Sequence, residues 1–275
     1  MASVPHTLGE QRATVPRIVL PITSRGLEVT DRLCWGILAV AMAIAAALIL
    51  YLNRGTTFYF DELNLLFKSP GLGLHEVIEP VNGHLGAVTT LVYKAVLETF
   101  GADYVAFRIL HVLAFLLAAG LFYALVARRI GALPALAPTL VVLFFGAAAS
   151  HVLLAIGFGH FVCVGAGLAA LLALERGDTR GDIAACALII LSVATFSTGL
   201  AFLVGVAISV LARADRRRRA WIFLIPLALY VAWWLWSLSQ PAAVEGQAKL
   251  SNLLLIPNFV ADSLAAVLAA ITGLG

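Results

Sequence analysis

The run LCWGILAVAMAIAAALILYL, Leu33 to Leu52, carries no charged side chain. A helix needs roughly 20 apolar residues to cross a hydrocarbon core of about 30 Å, and this run supplies them. Arg12, Arg17, Arg25 and Arg32 precede it, so the positive-inside rule puts the N-terminus in the cytoplasm and the residues after Leu52 outside. The rest of the 275-residue chain has the same character: 62% of it is hydrophobic and 12% charged, with a mean hydropathy of +1.00. Soluble domains are only about half apolar. The composition predicts an all-α polytopic membrane protein. The formal net charge of +3 is gathered into a few loops, which is the pattern of membrane topology rather than of a nucleic-acid partner.

Residues 1–32 mix Arg, Pro and polar side chains, with no compact apolar core after Met1, so they read as a cytoplasmic tail and not a signal peptide. Residues 33–275 read as one transmembrane module with a long outer loop over residues 53–104. In that loop Leu85 to Phe100 has apolar residues at helical spacing and predicts a helix lying along the membrane surface. A second span runs from Val105 to Ala127 and ends at Arg128 and Arg129. The apolar stretch Leu133 to Leu174 is too long for one helix. Ser150, His151, Gly157 and Gly159 mark an outward turn within it, giving two spans.

Ile183 to Ala212 admits one long helix or two short ones broken at FSTG, Phe196 to Gly199. Arg176 and Arg180 precede it and RADRRRR, Arg213 to Arg219, follows it. Both ends then belong in the cytoplasm, and a hairpin with an outward-facing recess is expected. A seventh span, Trp221 to Leu238, carries its Trp cluster near the far end, where the rings prefer the interface. A partial eighth begins in the last residues, as expected for the front portion of a longer architecture. Cys34, Cys163 and Cys186 lie inside apolar runs without metal-ligand spacing, as small packed hydrophobes do.

Polar chemistry concentrates in the first loop, YFDELNLLFKSPGLGLHEVIEPVNGHLG, Tyr59 to Gly86. Two readings of Asp61 and Glu62 are open. They are solvated or helix-capping residues, or they are a general base or metal ligand whose pKa is raised beside hydrocarbon. In LHEVIEP, His75 and Glu79 could share a helical face, but Pro80 ends any such turn and a solvent-facing cap is expected. His151 and His160 fall in apolar surroundings, where a titratable group is costly. Helix packing through a hydrogen bond is the expected use of each. The cluster RADRRRR reads as a topology determinant that also touches anionic lipid head groups.

A first span followed at once by Asp-Glu, then a long loop with a His-containing turn, an interfacial helix ending in Phe-Gly and a second span opening with Arg resembles the GT-C membrane glycosyltransferases. The protein-mannosyltransferase-like branch is the nearest in pattern, and the likeness covers about Leu33 to Leu238. It implies transfer, with inversion, of a sugar from a polyprenyl-phosphate donor to an extracytoplasmic acceptor that is a cell-wall glycan, a glycolipid or a protein. Carried over, Asp61 is the catalytic base with Glu62 its neighbour. Asn82, His84 and Arg108 are substrate-binding, Arg108 as a partner for the phosphate or else as a snorkelling anchor. No cofactor is expected and no metal site is predicted.

The chain departs from the branch in reading NGHL, Asn82 to Leu85, where members often have His-Pro-Pro-Leu. It also lacks the Ser-Arg-Glu-Ala-Arg-like segment near the fourth span. The expected location is the cytoplasmic membrane. Two other classes fit the composition: a secondary transporter or flippase, which would use broken helices, and a non-catalytic truncated membrane subunit.

Overall fold

The computed structural model describes residues 31–68, 73–146, 149–240 and 254–273, and among these it is all-helical with no strand. The first helix, α1, is Asp31–Leu52. The outer-loop stretch then forms α2 (Asp61–Lys68), α3 (Leu74–Ile78) and α4 (Ala87–Phe100), and α5 spans Tyr104–Ile130. Next come α6 (Ala132–Leu143), α7 (Ala149–Leu153), a single 3-10 turn (Ala155–Gly157) and α8 (Phe158–Leu174). The chain continues through α9 (Thr179–Thr195), α10 (Gly199–Leu211), α11 (Arg216–Arg219), α12 (Trp221–Ser237) and α13 (Ile256–Thr272).

Among the described residues four stretches are long and apolar enough to cross a membrane: Asp31–Leu52, Tyr104–Ile130, Ala155–Leu174 and Arg216–Ser237. They match the first and second expected spans, the second leg of Leu133 to Leu174, and the Trp221 span extended by its arginines. The first leg, α6, has only 12 residues. The expected tail lies outside the described residues, apart from Asp31 and Arg32, which open α1.

Buried positions on α1 are Cys34, Leu38, Ala41, Ala45 and Ile49, a stripe at spacings of three and four. Apolar Val40, Ile44 and Leu48 lie exposed between them. A helix apolar on all faces but packed on only one suits a lipid surround. The stripe joins Val112, Phe115 and Tyr123 of α5 and Leu136 of α6 in one core. A second core gathers Ala170 and Leu174 of α8, Ile189 of α9, Val206 of α10 and Ile222 of α12. Helix α8 packs against both α5 and α9 and so joins the two cores. The closing helix, α13, buries none of its residues.

The run Ile183 to Ala212 resolves as two helices, α9 and α10, broken at Phe196–Thr198. Phe196 is extended, with φ −163° and ψ 151°. Gly199 then starts α10 hard against the last turns of α9. A Cβ there would lie 2.6 Å from the Ser192 carbonyl carbon and 2.7 Å from Val193 N, backbone atoms that cannot step aside.

Charge sorts the molecule into two ends. At one, Arg128 and Arg129 from the end of α5 pair with Glu175 after α8, at 3.1 and 2.5 Å. Arg213, after α10, donates to Leu174 O at 3.4 Å. Arg219 grips Asp182 of α9 through two guanidinium nitrogens, Nε at 3.0 Å and Nη2. The side chains of Arg219 and Asp182 are only 5% and 13% exposed. The loop helices α2 to α4 lie at the opposite end, where Trp233 near the end of α12 donates to Ile78 O at 2.8 Å.

Breaking a buried bidentate pair leaves an uncompensated charge, at about 3–5 kcal/mol, whereas an exposed pair is worth about 1 kcal/mol or less. Asp182→Ala is therefore expected to lower the unfolding midpoint of the purified chain far more than Glu175→Gln, whose Arg128 and Arg129 partners are more than half exposed. Equal losses in thermal melts of the two variants would show that the Arg219–Asp182 pair does not hold α9 to α12.

Candidate functional site at the loop end of the bundle

The first turn of α2 sends its two acids in opposite directions. Glu62 is fully buried. Its Oε2 accepts the Tyr59 N–H at 2.9 Å. Its Oε1 accepts the Ile156 N–H at 2.7 Å, the Tyr104 hydroxyl at 3.3 Å and the Tyr93 hydroxyl at 3.5 Å. Tyr104 in turn accepts the Ala155 N–H at 3.3 Å. One carboxylate thus joins α2, α4, α5 and the 3-10 turn before α8. Beneath it Leu65, Tyr93, Tyr104, Phe107 and Ala155 form a third small core.

Burial raises the Glu62 carboxyl above its ordinary 4.5, outweighing the hydrogen bonds that favour the anion. Burial and the neighbouring Glu62 charge raise the Tyr93 phenol as well.

Asp61 turns outward and is half-buried. It stands at the N-terminus of α2, where the helix dipole favours a negative charge. Phe60 before it holds φ at +53°, a left-handed conformation that costs a bulky residue energy. Tyr59 and Phe60 are both exposed.

The partner of Asp61 comes from 21 residues away: Asn82 Nδ2 donates to Asp61 Oδ2 at 3.3 Å. Asn82 and Gly83 have φ of 50° and 79°, and Val81 and His84 exchange both backbone hydrogen bonds at 2.9 Å. Two central residues with positive φ make this a type I′ turn, for which Asn-Gly is the favoured pair.

The same turn delivers His84 to the α9–α10 break. His84 Nδ1 and Ser197 Oγ share a hydrogen bond at 2.9 Å, and the His84 ring lies 4.6 Å from that of Phe196. His160, on the first turn of α8, lies 4.1 Å from the Phe196 ring and 5.3 Å from the His151 ring. The two histidines expected in apolar surroundings thus meet each other, and His160 also meets Phe196. Gly159 beside them permits α4 to close in, since a Cβ there would lie 2.5 Å from Thr89 Oγ1. Among the described residues no group of three or more His, Cys, Asp or Glu is disposed to hold a metal ion.

Arg108 does not join this set. It is 7% exposed, donates to Thr56 O at 2.9 Å and lies 5.0 Å from the Tyr104 ring centre. Its Nε is buried without a hydrogen-bond partner. The guanidinium head therefore stays under the loop instead of reaching out along the surface as a snorkelling anchor would.

His75 does not pair with Glu79. The α3 helix stops at Ile78, His75 meets Trp236 edge-on at 5.4 Å, and Glu79 pairs with Lys68 at 3.6 Å. Sequence reading missed three participants: Ser197, Phe196 and His111. His111 is fully buried and donates from Nε2 to Val152 O at 2.8 Å. A titratable residue inside an apolar run was the available signal for His111. In the sequence, Ser197 and Phe196 read only as part of a chain break.

No family model, curated protein or solved structure matches this chain. Geometry alone therefore carries the reading of the site.

Because the folded chain holds the Glu62 proton more tightly than the unfolded chain, its stabilising contribution is fully present below about 4.5 and is lost as the pH rises through the raised value. Glutamine mimics the neutral acid. Thermal melts of the detergent-solubilised chain should show the wild type losing stability relative to Glu62→Gln as pH rises from about 4 to about 8. A difference between the two that does not change with pH would overturn this account of Glu62.

Proposed function

We propose that this chain is a membrane glycosyltransferase of GT-C type, moving a sugar from a polyprenyl-phosphate donor to an extracytoplasmic glycan, lipid or protein. The observation that carries the reading is the meeting of Asp61 with Asn82. A half-buried carboxylate, gripped on one oxygen by an amide from a tight turn, is held at the end of the bundle opposite the arginine cluster of α11. A donor whose polyprenyl chain stays in the bilayer presents its anomeric carbon at that depth.

In the reaction the acceptor hydroxyl oxygen attacks the anomeric carbon from the face opposite the phosphate. Asp61 takes the hydroxyl proton as the new C–O bond forms and the bond to the phosphate oxygen breaks, with inversion. Polyprenyl phosphate leaves with the bonding electrons and Asp61 returns its proton to water. Base catalysis of this kind is worth about 100- to 10,000-fold.

Asn82 orients the base, and His84, held by Ser197, contributes hydrogen bonds to the sugar or acceptor. Glu62 is a positioning residue that fixes the turn carrying Asp61. Arg108, with its unpartnered Nε, provides positive charge beneath the loop for the leaving phosphate.

In this arrangement α1, α5, α6, α8, α9, α10 and α12 make seven crossings and α13 begins an eighth. The short legs are shielded by protein where their backbone is broken. The N-terminus is cytoplasmic and the loop lies outside the cytoplasmic membrane, which the arginine-rich opposite end supports through the positive-inside rule.

Membranes containing Asp61→Asn, supplied with a panel of labelled polyprenyl-phosphate sugars, should transfer at least about 100-fold more slowly than wild type, with an unchanged melting temperature. Full activity in that variant would remove Asp61 as the base. A tag scan placing residues 55–100 in the cytoplasm would overturn the orientation.

A further inference from the structure

The basic end of the bundle engages five of its arginines internally, and Arg180 stands exposed and apart. Glu175 takes Arg128 and Arg129, Asp178 takes Arg176 at 3.1 Å, Leu174 O takes Arg213 and Asp182 takes Arg219. Asp215 also leans toward Arg219, at 3.9 Å. Arg216, Arg217 and Arg218 are different. All three are exposed, and among the described residues no hydrogen bond or ion pair engages their side chains. With Ala214 and Asp215 they line an open cavity of about 410 Å³.

Their depth is set by covalent continuity. The α11 turn runs into α12, and together Arg216–Ser237 form one 22-residue stretch long and apolar enough to cross a membrane. At 1.5 Å per residue that is about 33 Å, the thickness of a hydrocarbon core with little to spare. The arginines therefore stand at the level of lipid phosphates. The Arg219–Asp182 grip keeps the turn from rotating them away, because it anchors the next residue of the same helix to α9.

Arginine suits this place better than a mere topology signal requires. Its planar fork donates to phosphate oxygens in pairs and sheds water more readily than an ammonium. We propose that Arg216, Arg217 and Arg218 form a binding site for the phosphate head group of an anionic phospholipid. The site recruits lipid by charge and holds it against the start of α12. It is independent of the glycosyl-transfer reading, since none of its residues lies at the loop end.

The test uses the full chain, purified in a neutral detergent and titrated with phosphatidylglycerol or phosphatidylcholine, with bound lipid read by native mass spectrometry. Wild type should prefer phosphatidylglycerol. Each arginine near a lipid surface is worth about 1 kcal/mol, so Arg216→Gln/Arg217→Gln/Arg218→Gln should weaken that binding by about 100-fold at low salt. Replacing the three by lysine should keep more than half of the preference in free-energy terms. Arg128→Gln/Arg129→Gln, at the same end, should leave it intact.

Equal retention of the two lipids by wild type would overturn the proposal. So would an equal loss in the Arg128/Arg129 variant, which would mean that overall charge, not this site, draws the lipid. Displacement of phosphatidylglycerol by equimolar inorganic phosphate would mean that the ligand is a soluble anion. If the triple glutamine variant fails to fold, Arg217→Gln alone should still reduce the salt dependence of phosphatidylglycerol binding, and an unchanged dependence would count against the site.

Discussion

Glu62 is buried under the first loop and accepts hydrogen bonds from Tyr59 N–H, Ile156 N–H, Tyr93 and Tyr104. Taking a carboxylate out of water costs several kcal/mol, so it needs donors already in place, which here offset only part of the cost. The requirement works in both directions. The carboxylate draws two backbone N–H groups and two phenols from separate segments to one point, and those segments can then move only together. The loop is in this way a rigid cover fastened to the starts of α5 and α8, although its helices are short and α2 alone would be marginal in water. Asp61, one residue away, inherits its direction from that fastening.

A second constraint comes from the Asn-Gly turn. A type I′ turn leaves the residues at its edges pointing in set directions, and here they point to different partners. Asn82 reaches Asp61 in the loop, and His84 reaches Ser197 at the α9–α10 break. The order NGHL, Asn82 to Leu85, therefore has a structural content of its own. Proline could not supply the N–H that His84 gives to Val81 O if it stood at that position. In this chain, backbone hydrogen bonds through the turn hold the histidine in place.

The two ends of the bundle differ in how they treat charge. At the loop end the polar groups are few and shared, so that each carboxylate or imidazole meets a specific partner. At the other end five arginines are engaged by a nearby acid or carbonyl, and three adjacent ones are left open beside a membrane-length helix. Charge kept in reserve at a lipid boundary has a different use from charge consumed in packing. The bidentate Arg219–Asp182 pair separates the two by fixing which face of the helix turns inward.

Hydropathy by itself determined the all-helical class and the positions of α1, α5, α8 and α12, because apolar run length acts locally along the chain, while the arginines flanking Ile183 to Ala212 pointed to the break at FSTG. It also marked the first loop as the seat of the polar chemistry. Tertiary structure alone decided which acid faces out. Asp61 and Glu62 are neighbours of the same chemical type, and nothing in their order says that one would be buried by tyrosines 31 and 42 residues away. The same holds for Ser197 and Phe196, which read as a mere interruption until His84 arrives from 113 residues away. Local sequence sets where a helix starts and stops; which side chains meet depends on contacts between helices, and those are fixed only when the helices pack.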